Sequence, residues 1–363
     1  MRRLSAAALA MALLCGCVSE IARRIDDWRV GTRIGVMAHV DIGPGGNPAA
    51  FEKALRYYRQ NKVSAVVIVG PVLRTRADAK TKTLDDVWRE TFGGEDVLLV
   101  TEDGPTSVGD ISFAVSTARP HGACDVLTFY GDRKYALTDE LCLYPRDAKA
   151  VCAGSMCGVD VPEGFGDKGL RTAAAQAAQG LLVSAYDGKT VIRRLDFTQR
   201  APVDPSAAFD VRRFERIYAE EVAEPWELKP GVPVALPGEV PEFWADTRIL
   251  ALPGFRNNER VVTVKWPSVL QGQTGARARW YEVAVAFAHR PNEPFCRKSV
   301  MSNGFFLSED RDRKGVQCIF GEAEFPSAED GRRAIVFSVT PVGCFGKRGK
   351  AVFSEAVSLR PKE

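Results

Sequence analysis

Histidine is scarce in this chain: only His39, His121 and His289 occur in 363 residues. A site that needs several imidazoles converging on one ion is therefore hard to assemble. Charge of one sign is lacking too. Lys and Arg number 49 against 46 Asp and Glu, a formal net charge of +3, without the clustered basic excess of a nucleic-acid binder. The densest charged run, residues 309–314, mixes both signs and reads as a solvated hairpin tip. There is no Gly-x-Ser-x-Gly nucleophile elbow. Gly43-Pro44-Gly45-Gly46 lacks the Gly-Lys-Ser/Thr ending of a phosphate loop. The sole zinc-like feature is Cys152-x4-Cys157, with no second pair at ligand spacing. Its two thiols read instead as a small-loop disulfide or as buried groups.

What is present begins at the N-terminus. Met1-Arg2-Arg3 is followed by an apolar run over 4–14 that is too short to span a bilayer and fits a secretory signal. The run ends Leu13-Leu14-Cys15-Gly16-Cys17, which resembles a bacterial lipobox with Cys17 as the lipidated residue. The resemblance implies an exported protein held by a lipid anchor on the periplasmic or cell-surface face of the envelope. Of the nine cysteines, seven remain after Cys15 and Cys17 are set aside. An exported chain can pair them, and an odd count leaves one thiol over.

Strand and helix patterns alternate from residue 33. "RIGVMAHV" (33–40) is a short apolar strand. Asn47 caps a helix with Pro48 in its first turn, and Phe51, Leu55 and Tyr58 share one face. "VSAVVIVG" (63–70) is apolar on both faces, as a central parallel strand is. A second helix is predicted over 84–92 and a third strand at "DVLLVTEDG". Further strands are expected at "VLTFYG", "AKAVCAGSM", "GLLVSAYDG" and "TVIRRLDF", with more antiparallel pairing toward the end. Prolines 225, 230, 233, 237 and 241 suit a stiff linker. Beyond them, seven strand candidates at regular spacing and no helix predict an antiparallel β-sandwich with Trp266, Tyr281 and Phe337 in its core.

Ligands of parallel sheets bind at the carboxyl ends of the strands. Here those ends carry His39-Val40-Asp41, Gly70-Pro71-Val72-Leu73-Arg74, Thr101-Glu102-Asp103-Gly104-Pro105 and Gly131-Asp132-Arg133-Lys134. With "FEKALRYYRQNKVSAVVIVG", "VLTFYGDRKYALTDE" and "QGLLVSAYDGKTVIRRLDF" as framework, the chain resembles a calcineurin-like metallophosphoesterase. That family holds two metal ions on Asp-x-His, Gly-Asp-x-x-Asp, Gly-Asn-His-Asp and Gly-His-x-His motifs. The positions of this chain depart from those ligands. His39 and Asp41 are swapped, and Pro71 replaces the bridging Asp. Glu102-Asp103-Gly104-Pro105 lacks the Asn and the His. Asp132 and Lys134 stand where two histidines belong, and a protonated ammonium has no lone pair to give a metal. Segment 106–125, with His121, is too short for the family's element before the last motif. A two-metal clamp, with ions about 3.5–4 Å apart, needs a bridging carboxylate and several His.

The resemblance therefore implies a catalytically degenerate domain, a binding or scaffolding pseudoenzyme with no cofactor. Two alternatives stay open. One is a metal-dependent phosphoesterase with a single divalent ion on His39, Asp41 and Asp132. The other has Arg74, Arg133 and Lys134 as fixed cations holding a phosphate or carboxylate, unless they merely pair with Glu102, Asp103 and Asp132. The second half, over about 242–360, resembles a fibronectin type III module through Trp266, "WYEVAV" and "VFSVTPVG", which implies an adhesive or spacer role. The expected architecture is α/β plus all-β. A signal peptide (1–16) and a spacer (17–32) precede a shortened αββα metallophosphoesterase-like sandwich (33–224). A Pro-rich linker (225–241) and a fibronectin type III-like sandwich (242–363) follow. Expected partners are the membrane, through the lipid, and an envelope protein or glycan, with no nucleic acid.

Overall fold

The computed structural model describes residues 30–43, 46–73, 82–120, 124, 126–143, 149–161, 165, 168–198, 219–229, 232, 240–269, 276–302, 315–326 and 333–359. The signal and most of the spacer with Cys17, and also Arg74, His121, Pro230, Pro233, Pro237 and the 309–314 run, lie outside them.

The first half builds two sheets. Strands β1 (Val30–Ala38), β2 (Ala65–Val69) and β3 (Leu98–Val100) pair in parallel, with Ile34 opposite Ala65 and Ala65 opposite Leu98. On the other side of β1 lies an antiparallel run of β8 (Gln179–Tyr186), β9 (Lys189–Asp196) and β10 (Glu220–Leu228), giving the order β10-β9-β8-β1-β2-β3. The second sheet has the order β4 (Gly104–Val108), β5 (Ile111–Ser116), β6 (Leu127–Tyr130), β7 (Ala150–Cys152). Here β5, β6 and β7 pair in parallel; β4 and β5 were not expected as strands, and the antiparallel pairing expected toward the end is found in β8, β9 and β10.

One apolar layer joins the two sheets. It contains Val36, Val67, Phe113, Phe129, Val151, Val183 and Ile192. The far face of the six-stranded sheet is covered by α1 (Pro48–Gln60) and α2 (Leu84–Phe92), through Phe51, Leu55, Tyr58, Val87 and Phe92. Both helices begin where the sequence places them. The Asn47 side chain accepts from the Ala50 N–H, and Thr83 and Asp86 form a reciprocal capping box. The expected fourth layer is not found among the described residues. The β4–β5 hairpin turns Ser107 and Ser112 outward, exposed and hydrogen-bonded to each other, so that face has no apolar stripe for a helix to cover. The short α3 (Lys168–Ala175) packs its Ala174 with Ala136, Val159 and Met301 instead.

Regular structure runs on into the segment expected as linker, because Pro225 lies within β10. Beyond it, β11 (Leu250–Arg256), β12 (Glu259–Trp266) and β15 (Val316–Gly321) form one antiparallel sheet. Strands β13 (Trp280–Phe287), β14 (Cys296–Met301), β16 (Arg333–Val342), β17 (Val352–Phe353) and β18 (Val357–Leu359) form the other. Side chains of both sheets share one core. Trp266, Tyr281 and Phe337 are buried in it as expected, with Val264, Val283 and Phe320. Trp266 meets Tyr281 edge-on at 5.3 Å.

The two halves also touch. Arg277 Nη2 donates to the Val222 carbonyl at 2.7 Å, Arg279 Nε lies 3.4 Å from Asp139 Oδ2, and Phe165 meets Trp280. Burial outweighs the Arg279 guanidinium and holds the Asp139 carboxyl above the ordinary carboxylate value.

Arg194 is the largest fully buried side chain of the described residues. Its Nη1 donates to the Leu137 carbonyl at 3.0 Å and lies 3.5 Å from Glu140 Oε1, while the guanidinium stacks 4.3 Å from the Trp226 ring. Removing one partner of a buried ion pair leaves an uncompensated charge, here on Glu140. Arg194→Met is expected to lower the unfolding free energy by about 3–5 kcal/mol, read as a shifted urea midpoint by near-UV circular dichroism. An Arg194→Met, Glu140→Gln double variant is expected to recover part of that loss.

Candidate functional site

Of the strand ends singled out above, those of β1 and β6 lie together: the His39 imidazole meets the Arg133 carbonyl, and Gly131 packs against Ala38 and Val69. β6 ends at Tyr130, and Gly131 follows at the point where the sheets come closest. A Cβ built at Gly131 would sit 2.9 Å from Ala38 Cβ and 3.1 Å from Val69 Cγ1, so the glycine is required by close approach. Gly46 is constrained in the same way, since a Cβ there would meet the Asp41 carbonyl at 2.2 Å. The first contact brings the 131–134 turn onto the ends of β1 and β2, and the second brings Gly46 back against Asp41.

His39 follows β1 with φ +51°, the left-handed region that a residue with a Cβ enters at a cost of about 1–3 kcal/mol. Its imidazole hydrogen-bonds to the Arg133 carbonyl, and its Nε2 is buried with no partner. Burial is the main cause holding its pKa below 6.5, and the Lys134 ammonium acts in the same direction. Asp41 is buried, and its Oδ1 accepts the Gly43 N–H at 2.9 Å. Its backbone carbonyl accepts the Asn47 N–H, and the adjacent Ile42 N–H donates to the Leu73 carbonyl. This carboxylate is therefore engaged in shaping the loop that leads into α1.

The other expected residues scatter. Pro71 and Glu102 are exposed. Asp103 Oδ2 accepts both the backbone N–H and the hydroxyl of Thr117 at 3.0 Å, which ties the connection between β3 and β4 to the end of β5. Asp132 and Arg133 are exposed. Lys134 Nζ donates to the Cys157 carbonyl at 3.0 Å. Lys134 Nζ is thus taken by a main-chain carbonyl and Asp103 Oδ2 by Thr117, while Arg74 lies outside the described residues.

The trio His39, Asp41 and Asp132 does not form a metal site either. No group of three or more His, Cys, Asp and Glu among the described residues is placed to hold a metal ion. The donor geometry agrees, since Asp41 Oδ1 is tied to Gly43 and Asp132 is exposed, whereas His39 Nε2 is buried. The residues present do not fit the metal pair that the resemblance implies.

Sequence reasoning missed two residues of this rim. Asp160 pairs with the turn through main chain and side chain, its N–H donating to the Lys134 carbonyl at 2.8 Å and its Oδ2 accepting the Lys134 N–H at 3.4 Å. The Cys157 thiol lies against the backbone of Asp41 and Asn47, and burial pushes its pKa up. Asp160 sits in no motif and Cys157 was weighed only against Cys152, and the fold is what brings 157–160 to the ends of β1 and β6. The expected Cys152–Cys157 loop is also corrected. Cys152 is buried between the two sheets, whereas Cys157 is on this rim.

The lowered pKa of His39 gives a signed expectation. Between that value and 6.5 the unfolded chain binds more protons than the folded one. Stability is fully present above about pH 6.5 and is lost as pH falls through the lowered value. His39→Gln is expected to remove this part of the acid limb. The check is the difference in urea midpoint between the parent and the variant, followed from about pH 7.5 to 5.

No protein-family profile matches this chain, and no curated protein does. Two solved structures of Vps29, a calcineurin-like metallophosphoesterase-fold protein, are similar to part of it. A single mutant of Vps29 from Entamoeba histolytica matches with a TM-score of 0.29 and 14% identity, over 46% of this chain and 92% of that one. Vps29 from Chaetomium thermophilum, complexed with a RaPID-derived cyclic peptide, matches with a TM-score of 0.32 and 13% identity, over 56% of this chain and 99% of that one.

Proposed function

We propose that this chain is a cell-envelope lipoprotein whose first domain is a catalytically degenerate calcineurin-like phosphoesterase domain, used for binding or scaffolding. A lipid on Cys17 holds it outside the cytoplasm. The observation that carries the reading is the Lys134 ammonium on the Cys157 carbonyl, in the turn where the resemblance needs metal-bound histidines. A cation fixed there occupies the ground of a metal and repels one. The loss of a ligand at Pro71 and the commitment of Asp103 to Thr117 support the same reading. The arrangement of three strands, β11-β12-β15, and five, β14-β13-β16-β17 with β18 beside β16, around one core supports a fibronectin type III-like second domain that presents or spaces the first. The partner class proposed is an envelope protein or glycan. The second reading, a phosphoesterase with one divalent ion, is favoured only by the uncommitted Nε2 of His39.

Full-length protein dialysed against manganese is expected to retain metal well below one equivalent and to hydrolyse no aryl phosphate. Stoichiometric metal, together with turnover that Asp41→Ala or the exposed Asp132→Ala abolishes, would overturn the pseudoenzyme reading. The anchor has its own check. Cys17→Ser is expected to move the protein from the membrane fraction to the soluble one, and parent protein that stays soluble would remove the lipid from the proposal.

A further inference from the structure

Cys142 and Cys152 are both fully buried and belong to the same apolar layer between the two sheets. Three contacts fix their mutual position. Cys152 closes β7 directly opposite Tyr130 of β6. The Tyr130 hydroxyl donates to the Cys142 carbonyl at 3.4 Å. Cys142 sits in the 3-10 turn Glu140–Leu143, where its N–H is bound to the Asp139 carbonyl at 3.0 Å. The two thiols are within hydrogen-bonding reach of each other. Cys142 Sγ also points at the Ala136 carbonyl (3.2 Å) and Cys152 Sγ at the Arg133 carbonyl (3.9 Å), so both thiols face the segment 133–136 that follows the Gly131 turn.

We infer that Cys142 and Cys152 form a structural disulfide when the chain folds in an oxidising medium. The bond would tie the 3-10 turn to the end of β7, beneath the turn that carries Lys134. The chemistry is thiol–disulfide exchange with a small-molecule or protein disulfide as oxidant. One thiolate attacks the oxidant and displaces a thiolate from it. The second thiolate of the pair attacks the mixed disulfide and displaces the other. Two S–H bonds are lost, one S–S bond forms, and two electrons and two protons pass to the oxidant, which leaves as two thiols. The exported location proposed above would supply that oxidant, but the pairing itself rests on the positions of the two thiols.

Burial also sets when the bond can form. The nucleophile in exchange is the thiolate, and desolvation drives the Cys142 thiol well above its ordinary pKa. A folded, reduced chain offers an external disulfide neither access nor thiolate. The bond therefore forms before the two sheets close, and afterwards it is shielded from reductant.

Trypsin provides the test, because Arg146 and Lys149 lie between the two cysteines. Full-length protein refolded with oxidised glutathione is expected to yield peptides 135–146 and 150–168 joined, lighter by two hydrogens than their sum, and separated by reductant. Cys157 shares the second peptide, so Cys157→Ala must keep the link and Cys152→Ala must lose it. Native reduced protein is expected to resist the same glutathione. Reducing the linked form is expected to lower the thermal midpoint by about 5–10 °C, from the chain entropy of an 11-residue loop in a domain of this size. Separate peptides after oxidative refolding, or a link that survives Cys152→Ala, would overturn the inference. If the buried variant Cys152→Ala fails to fold, alkylation of the denatured parent decides the matter, since Cys142 and Cys152 must be the pair that escapes the label.

Discussion

A guanidinium buried between strands and loop sets the terms for the first half of the molecule. Arg194 cannot be hydrated, so its charge and its N–H groups must be met from within. Glu140 supplies the counter-charge, Leu137 a carbonyl and Trp226 a ring face. Those partners come from the loop after β6 and from β10, two segments with no other reason to meet. Gln179 adds a second tie, accepting the Leu137 N–H at 2.7 Å. The loop that begins with Gly131 is thus pinned at its far end by β8 and β9 and at its near end by the lack of room for a Cβ. The position of Lys134 follows from both constraints.

The same loop is the hinge point for the second half. Asp139 directly precedes Glu140, and its carboxylate faces Arg279 across the junction while accepting the Leu141 N–H. Two arginines from different parts of the chain therefore converge on consecutive acids. A carboxylate kept this dry is held in place by its pair and by hydrogen bonds, and an ion pair of this kind fixes relative orientation more than it adds stability. The apolar contacts of Met301 and Trp280 against Val159, Ala174 and Phe165 complete the junction.

Much of the framework was legible because it rests on local rules. Asn47 and the Leu84–Phe92 helix could be placed from capping and periodicity, and six of the seven late strands from alternation. The seventh, "AVFSEAVSL", is split in two. Ser354 turns its hydroxyl to accept the Phe337 N–H, an interaction that no period of two foretells. Segment 106–125 was weighed only for its length, and its β4–β5 hairpin went unseen because its outward residues, Ser107 and Ser112 among them, are polar. In the site, the sequence offered the residues at the strand ends as candidates. It could not show that Lys134 would find a carbonyl, that Asp103 would serve Thr117, or that Cys142 and Cys152 would come together, since each depends on contacts between segments far apart or without a motif.

Pro225 was read as part of a spacer, and its actual place has a consequence for assembly. β10 is the outermost strand of the six-stranded sheet, and its register slips on both sides of Ala223. An edge strand with regular amides would be a template for another chain. This one carries a residue with no N–H beside a double irregularity, and its Val222 carbonyl is already taken by Arg277. This edge of the sheet is therefore blunted against pairing with a neighbouring copy, which matters for a protein proposed to be crowded by a lipid onto a two-dimensional surface.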